Sequence, residues 1–410
     1  MTTTSLTTPY TLPCGAVIPN RLVKAAMTER ISNASLEPTE NHHTLYKKWG
    51  ETGAGILITG NVIIDKTHLE SSGNIFMGDD NMLPKLKAWA ESGKTGNNHV
   101  WVQISHAGRQ TNKFSTSRPL APSDVQLHKM FLFGKPRAME ESDIQAVIAG
   151  FKKAAQLSKE AGFTGIQIHS AHGYLLSQFL SPRTNTRTDQ WGGSLENRSR
   201  LLLSIIKECR KVVGPEFPIS VKLNSSDFQK GGFTEEESLE VVKMLDKEGI
   251  DLLEISGGTY ERLAFFELNE EQPYMKESTR RREAYFIEFS QKIRAVSQLP
   301  LLITGGFRSW DFCNETLASG ELDFVGMARP FITNVEEIAD FLEGKVPSLD
   351  NLVKRTGIKA FEDAAEGGFY AKQLINLSRG KKVNPNMNPL WASNFLILHE
   401  MKEALRNRLS

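Results

Sequence analysis

Eight short apolar runs recur along the chain, and amphipathic segments separate most of them. The runs are Leu22–Met27, Gly55–Val62, Val100–Ser105, Gly165–Ser170, Ile219–Asn224, Leu252–Ser256, Leu301–Gly305 and Phe324–Ala328. They are near-continuously hydrophobic rather than alternating, as expected of strands covered on both faces. Helical spacing fills the gaps. From Asp143 to Ala161, the residues Ile144, Val147, Ile148, Phe151, Ala154, Ala155 and Leu157 fall on one face, with Ser142 as the expected N-cap and Gly162 as the stop. From Glu235 to Glu248, Thr234 and Glu237 form a capping box, Leu239, Val241, Val242 and Leu245 form the stripe, and Gly249 ends it. Leu195–Val213 and Arg282–Val296 read the same way. Strand–helix alternation of this kind predicts a (β/α)8 TIM barrel. An open doubly wound sheet of eight strands would give the same periodicity, so the pattern alone does not separate the two.

The length suits this reading, since 410 residues accommodate one barrel of roughly 250–400 residues with additions. Residues 1–347 are assigned to the barrel, with Thr7–Pro19 as a small N-terminal cap, and 348–410 to a helical extension packed on it. Helical patterns near Ala360–Ser378 and Ser393–Leu405 support that extension, and Asp311–Ser319 and Glu336–Leu342 supply short late helices. The stretch from His106 to Glu141 carries Pro119, Pro122, Pro136 and an apolar tip, Met130-Phe131-Leu132-Phe133. A connection that long in a compact domain is usually a functional loop or lid.

Lys plus Arg number 49 against 48 Asp plus Glu, a net charge of +1, so no basic excess points to nucleic acid. At 40% hydrophobic and 24% charged residues, disorder is excluded. Cys14, Cys209 and Cys313 form no CxxC pair, which argues against a disulfide framework or a cysteine metal cluster and for a reducing compartment. Met1–Thr8 has no basic-then-apolar signal, Arg408-Leu409-Ser410 is no peroxisomal tripeptide, and runs such as Phe395–Leu398 fall far short of the ~20 residues that span a bilayer. No membrane association is expected, and a cytoplasmic location is the default.

In a barrel, chemistry sits at the C-terminal ends of the strands. Ile303-Thr304-Gly305-Gly306 and Gly326-Met327-Ala328-Arg329 end the last two runs. Small residues there let backbone N–H groups approach a phosphate and Arg329 adds a charged fork, although glycines also simply make tight turns. His169 and His172 flank the end of the fourth run. On a continuing strand they would face opposite ways, so the chain must turn for the rings to converge. Converging imidazoles would hold a carbonyl or oxyanion while Tyr174, a phenol protonated at neutral pH, delivers a proton. Two ordinary hydrogen-bonded histidines beside a packing aromatic is the competing view. A metal would need a third ligand, which is not evident nearby. Lys222 ends an apolar run and needs either a ligand or a carboxylate such as Asp227 or Glu254. Gln103 offers an amide to a planar heterocycle or to a neighbouring loop. The histidines His42, His43, His68, His99, His128 and His399 are expected at the surface or in loops, and His106 orients its own loop.

Taken together, these residues resemble the old yellow enzyme family, the FMN-dependent NAD(P)H oxidoreductases and ene-reductases. The resemblance runs collinearly over roughly residues 8–345. Its most specific stretch is His169-Ser-Ala-His-Gly-Tyr-Leu-Leu-Ser-Gln-Phe-Leu-Ser-Pro182, continuing through Asn185, Arg187, Asp189, Gly192-Gly193-Ser194, Asn197-Arg198 and Arg200. Asn20-Arg21-Leu22-Val23, Ser105-His106-Ala107-Gly108-Arg109 and Gly326-Met327-Ala328-Arg329-Pro330 are further blocks. The resemblance implies a bound FMN touched by Ala25, Ala26, Met27 and Thr28 from strand 1, by the Asn61 backbone, and by Gln103 and Lys222 at its pyrimidine side. Gly305, Gly306, Ala328 and Arg329 would take its phosphate. It also implies that His169 and His172 bind a substrate carbonyl, that Tyr174 is the proton donor, and that Ser105 lines the pocket. NAD(P)H would be the co-substrate and an α,β-unsaturated carbonyl compound the acceptor, in ping-pong order. Assembly of identical subunits stays open. The sequence departs from the family at Ala26, often proline, at Thr28, cysteine in one subgroup, and at Glu29-Arg30, near which that subgroup has tyrosine. Rival functions are an NAD(P)H oxidase passing electrons to oxygen or quinones, and a metal-dependent barrel hydrolase or lyase.

Overall fold

A computed structural model describes residues 4–128, 133–256, 288–350, 352, 356–357 and 359–409. Eight parallel strands close into a barrel: β1 Leu22–Lys24, β2 Ile56–Ile63, β3 His99–Ser105, β4 Gly165–Ser170, β5 Ile219–Asn224, β6 Leu252–Ser256, β7 Leu301–Thr304 and β8 Phe324–Met327. Closure is explicit in the register, with Val325 opposite Leu22 and Val23 opposite Ile56. The barrel reading therefore holds over the open sheet. Helices cover the outside, among them α1 Glu40–Gly50, α2 Leu83–Gly93, α3 Glu141–Glu160, α4 Leu195–Val213, α5 Glu235–Lys247 and α6 Trp310–Ala318. Among the described residues no helix is long and apolar enough to cross a membrane.

Alternate strand residues point inward, and they change character with height. At the N-terminal end Val23, Ile56, Ile58, Trp101, Leu252, Leu302 and Phe324 pack with Leu12 and Ile18. These last two come from an antiparallel hairpin, Tyr10–Thr11 with Val17–Ile18, which plugs that end as the cap segment anticipates. Gly165 makes room for the Trp101 indole, because a Cβ there would lie 2.5 Å from its Nε1. The plug leaves the opposite mouth free for polar groups.

Helix α3 starts earlier than its apolar stripe suggests. Its N-cap is Glu140 rather than Ser142, which sits in the first turn. The reason is Asp143, whose carboxylate takes the Glu140 N–H at 2.8 Å and a two-pronged ion pair from Arg137. His42 departs from the surface-or-loop expectation, being buried within α1 edge-on to Trp89, whereas His68 lies in a loop as expected but is buried there, bonded to Asp65 and Leu120. Of the segment Arg282–Val296, residues 288–294 are helical and 282–287 lie outside the described residues, as do Met130, Phe131 and Leu132 of the apolar tip.

Two C-terminal helices, α7 Lys359–Ser378 and α8 Pro389–Leu409, cross closely, since a Cβ on Gly368 would collide with the Ala392 carbonyl. Helix α8 begins four residues before the sequence pattern does. It reaches the mouth of the barrel. The Glu400 carboxylate takes Arg30 Nε (3.2 Å), Ser71 Oγ (2.5 Å) and Ser72 N (2.8 Å), while Arg406 and Asn407 donate to the Ser32 and Ser72 carbonyls.

Candidate active site

The mouth is built from the strand ends. Strand β4 carries Gln167 and His169 inward. The chain then reverses through His172 (φ 60°) and Gly173 (φ 76°), both left-handed. This conformation is unfavourable for a histidine, and it is held by two bonds: His172 N–H to Asn224 Oδ1 (3.1 Å) and Gln110 Nε2 to the His172 carbonyl (3.1 Å). The turn required for convergence is therefore present. His169 Nε2 faces His172 Nδ1 at 3.3 Å, with the rings nearly perpendicular. Tyr174 lies buried, its ring 4.8 Å from that of His169, at the N-cap of a short helix, Leu175–Leu180.

Each imidazole is braced behind. Asn61 Oδ1 lies 2.9 Å from His169 Nδ1, with Ser105 Oγ at 3.4 Å, and Ser256 Oγ lies 2.6 Å from His172 Nε2. Burial drives the His169 pKa well below its ordinary value, with His172 and Lys222 adding like-charge repulsion. Burial, then Lys222, takes His172 down to about 3. Both rings are neutral at physiological pH, so each carries one N–H.

Beneath them runs a polar ladder across adjacent strands. Gln103 Nε2 donates to Gln167 Oε1 (2.7 Å), and Gln167 Nε2 donates to Glu254 Oε2 (2.7 Å). Lys222 Nζ donates to Glu254 Oε1 (2.8 Å). Of the two candidate carboxylates for Lys222, Glu254 is the partner, directly opposite it in the β5–β6 register. Among the described residues Glu254 is the one acceptor of the Lys222 ammonium, which leaves two further N–H groups for another acceptor.

Strand β1 delivers Ala25, whose N–H bonds the Met327 carbonyl, then the half-buried Ala26, Met27 and Thr28. The Thr28 hydroxyl donates to Glu70 Oε2 (3.0 Å), and Arg30 bridges the Thr28 carbonyl, Glu70 and Glu400. Across the mouth, Gly305 (φ 121°) and Gly306 (φ 87°) make a turn open only to glycine. Ala328 leads into a short helix, Pro330–Thr333, with Arg329 at its N-cap. Arg329 pairs with Glu366 of α7 (2.6 Å) and lies over the Tyr370 ring. Near it the half-buried Arg308 has its pKa drawn down to about 10 by burial and by Arg329, and donates to the Asp350 carbonyl.

The fit of FMN to this mouth rests on the donor set. A phosphate needs backbone N–H groups and cations, which the Gly305-Gly306 turn, Arg308 and Arg329 can supply, and the buried Thr304 hydroxyl beside them has no partner among the described residues. The pyrimidine edge of a flavin needs mixed donors and acceptors, which Gln103 and Lys222 provide. The residues present suit the group.

Gln167, Ser256, Asn224, Glu70 and Arg308 join the site without standing out in the sequence. Strand parity carries a signal for two of them: Gln167 is two residues from His169, and Ser256 two from Glu254. Asp65, His68 and His106 form a separate cluster with metal-like spacing. However, His68 Nε2 accepts from Leu120 N–H and His106 Nδ1 from Gly108 N–H, so the ring nitrogens turned toward Asp65 carry the hydrogens. The cluster is a loop staple rather than a ligand set. Among the described residues it is also the one group of three such side chains close enough to share an ion. Among the described residues, His169 and His172 belong to no such group of three.

Residues 5–343 match the NADH:flavin oxidoreductase / NADH oxidase family, and the chain belongs to it. It is 37% identical over 351 residues to the NADH-dependent flavin oxidoreductase iliE of Neonectria sp. (strain DH2), a match covering 80% of this chain and 45% of that protein. The chain thus spans under half the length of that relative. It is 35% identical to the iliE protein of Hypocrea jecorina (strain QM6a), covering 80% of this chain and 86% of that one. The structure of an old yellow enzyme homologue from Zymomonas mobilis superposes with a TM-score of 0.70 at 25% identity, over 85% of this chain and 95% of that one.

Proposed function

We propose that this chain is an NAD(P)H-dependent ene-reductase acting on α,β-unsaturated carbonyl compounds. The observation that carries the reading is the pair of neutral imidazoles whose facing nitrogens are 3.3 Å apart beside Tyr174. FMN would be held at its phosphate by the Gly305-Gly306 turn, Ala328, Arg308 and Arg329, and at its ring by Gln103, Lys222 and residues Ala25 to Thr28. When bound, it supplies two-electron hydride chemistry between NAD(P)H and the β carbon of the substrate.

The chain's own residues do the rest. His169 and His172 donate to the substrate oxygen, polarise the double bond and fix its orientation. In a water-poor site each such donor is worth about 3–4 kcal/mol. Lys222 presents a cation whose charge Glu254 already offsets, so its free N–H groups matter more than its net charge. Tyr174 gives the α carbon its proton. Ser105, fully buried, lines the wall behind His169. Helices α7 and α8, from the stretch assigned to a C-terminal extension, brace the mouth through Glu366 and Glu400.

Purified protein should be yellow, and anaerobic NADPH should bleach it. Adding 2-cyclohexenone should restore the colour and consume one equivalent of enone per flavin. Bleaching that oxygen or a quinone reverses, but no enone does, would replace this reading with an oxidase.

A further inference from the structure

We propose that Asn61 and Ser256 are positioning residues that set the tautomers of the histidine pair, so that both facing nitrogens present a hydrogen to one substrate oxygen. This rests on the carbonyl-site reading above and deepens it.

Each neutral ring has one N–H to place. For one oxygen to receive both, His169 must be protonated on Nε2 and His172 on Nδ1. The outer nitrogens, His169 Nδ1 and His172 Nε2, are then bare lone pairs, and each needs a donor. Ser256 meets the second at 2.6 Å, since a hydroxyl rotates to donate. Asn61 meets the first at 2.9 Å. In the observed orientation its Oδ1 faces the ring, which keeps the His169 hydrogen on Nδ1. His169 Nε2 then accepts from His172 Nδ1, and the pair is closed on itself. Among the described residues the Asn61 amide nitrogen makes no hydrogen bond. A half-turn of the amide therefore brings an N–H onto His169 Nδ1 and breaks no other contact. The two amide orientations correspond to a self-satisfied pair and a substrate-ready pair. Ser105, at 3.4 Å from the same nitrogen, is too distant to replace Asn61 fully.

Strand β2 is shaped to put Asn61 there. Ile56 and Ile58 point into the barrel, so parity alone would aim residue 60 inward and 61 outward. The β2–β3 register slips between Ile58 and Asn61, and this irregularity restores Asn61 to the interior. Gly60 is needed in that slip, because a Cβ would collide with the Glu29 carboxylate and the Met27 carbonyl.

The test uses holoenzyme and 4-hydroxybenzaldehyde, whose phenolate oxygen stands in for the developing oxyanion; binding is read from the flavin spectrum between about pH 5 and 8. Asn61→Asp replaces an invertible amide by a pure acceptor, fixing the His169 hydrogen on Nδ1. It should weaken the probe about 10- to 100-fold at pH 8. Its carboxylate also favours a second proton on His169, against the opposition of Lys222 (itself held by Glu254) and His172, with Tyr174 packed on the ring. That proton restores the inward donor, so the deficit should shrink toward pH 5. Asn61→Leu should bind weakly with no such recovery, and Ser256→Ala should lose about 10- to 100-fold. Independently of any variant, 15N spectra of histidine-labelled wild type with probe should show hydrogens on His169 Nε2 and His172 Nδ1. Probe affinities of Asn61→Asp and Ser256→Ala within twofold of wild type, or a probe complex with hydrogen on His169 Nδ1, would overturn the proposal alone. Wild-type holoenzyme that binds no probe would instead sink the carbonyl-site reading and this proposal with it.

Discussion

Replacing Lys222 by Met would isolate a carboxylate in the centre of the barrel. Lys222 and Glu254 are both buried, with Nζ and Oε1 2.8 Å apart. At that distance the attraction is roughly 6 kcal/mol at an effective dielectric of about 20. Desolvation of both ions offsets most of it, so the pair as a whole adds little net stability. Removing one member is different, because the survivor stays buried without its counter-charge, at a cost of about 3–5 kcal/mol. Lys222→Met and Glu254→Gln should each lower stability by that amount. The double variant carries no charge at either position, and the amide introduced at position 254 can still accept from Gln167 Nε2, so its loss should be only about 1–2 kcal/mol. Urea unfolding of the four proteins, followed by tryptophan fluorescence at fixed excess FMN, gives the coupling directly. If the two single losses simply add in the double variant, or if each single loss is below about 1 kcal/mol, Lys222 and Glu254 are not energetically coupled as their 2.8 Å contact requires.

The other predictions concern catalysis, pH and cofactor retention. Tyr174→Phe should leave flavin reduction by NADPH unchanged and slow enone reduction by about 10²–10⁴, as measured by stopped-flow on the two half-reactions. Burial lowers the pKa of His42, His106 and His172 to about 3 each, and that of His169 well below its ordinary value. These groups are neutral when folded and take up protons on unfolding, so stability is full above pH 6.5 and is lost as pH falls toward 3. Each contributes a slope of about 1.4 kcal/mol per pH unit below roughly pH 6, and equal urea midpoints at pH 7 and pH 5 would contradict their burial. Arg329→Met should raise the FMN dissociation constant by about tenfold or more, read by fluorescence on dilution. Glu366→Gln, which frees Arg329 from its ion pair, should leave FMN affinity equal or tighter.

The eight strands are legible in the sequence because each is buried on both faces, whereas their closure into a barrel rather than an open sheet shows only in the pairing of β8 with β1. Polar residues that interrupt those runs are correspondingly visible: Gln103, His169 and Lys222 stand out by being out of place. Their partners are harder to see. Pairing Lys222 with Glu254 rather than Asp227 requires the inter-strand register, which no single strand encodes. The role of the Asn61 side chain is hidden for a different reason, since a register slip reverses parity without changing hydrophobicity. The start of helix α3 escapes the apolar pattern because Asp143, through Glu140 and Arg137, defines the first turn while the stripe begins later. The ion pair of Arg329 with Glu366 joins segments 37 residues apart and leaves no local trace.

Glu400 has a consequence for how the molecule is made. Its carboxylate ties down Arg30, Ser71 and Ser72, partners 328 to 370 positions earlier in the chain. During translation the eight strands can emerge and zip together before α8 has left the ribosome. Until it does, the segments following β1 and β2 lack their anchor, and the wall around Thr28 is unfinished. Cofactor capture by a nascent chain should accordingly lag behind barrel closure, with the last helix acting as the latch that completes the vestibule.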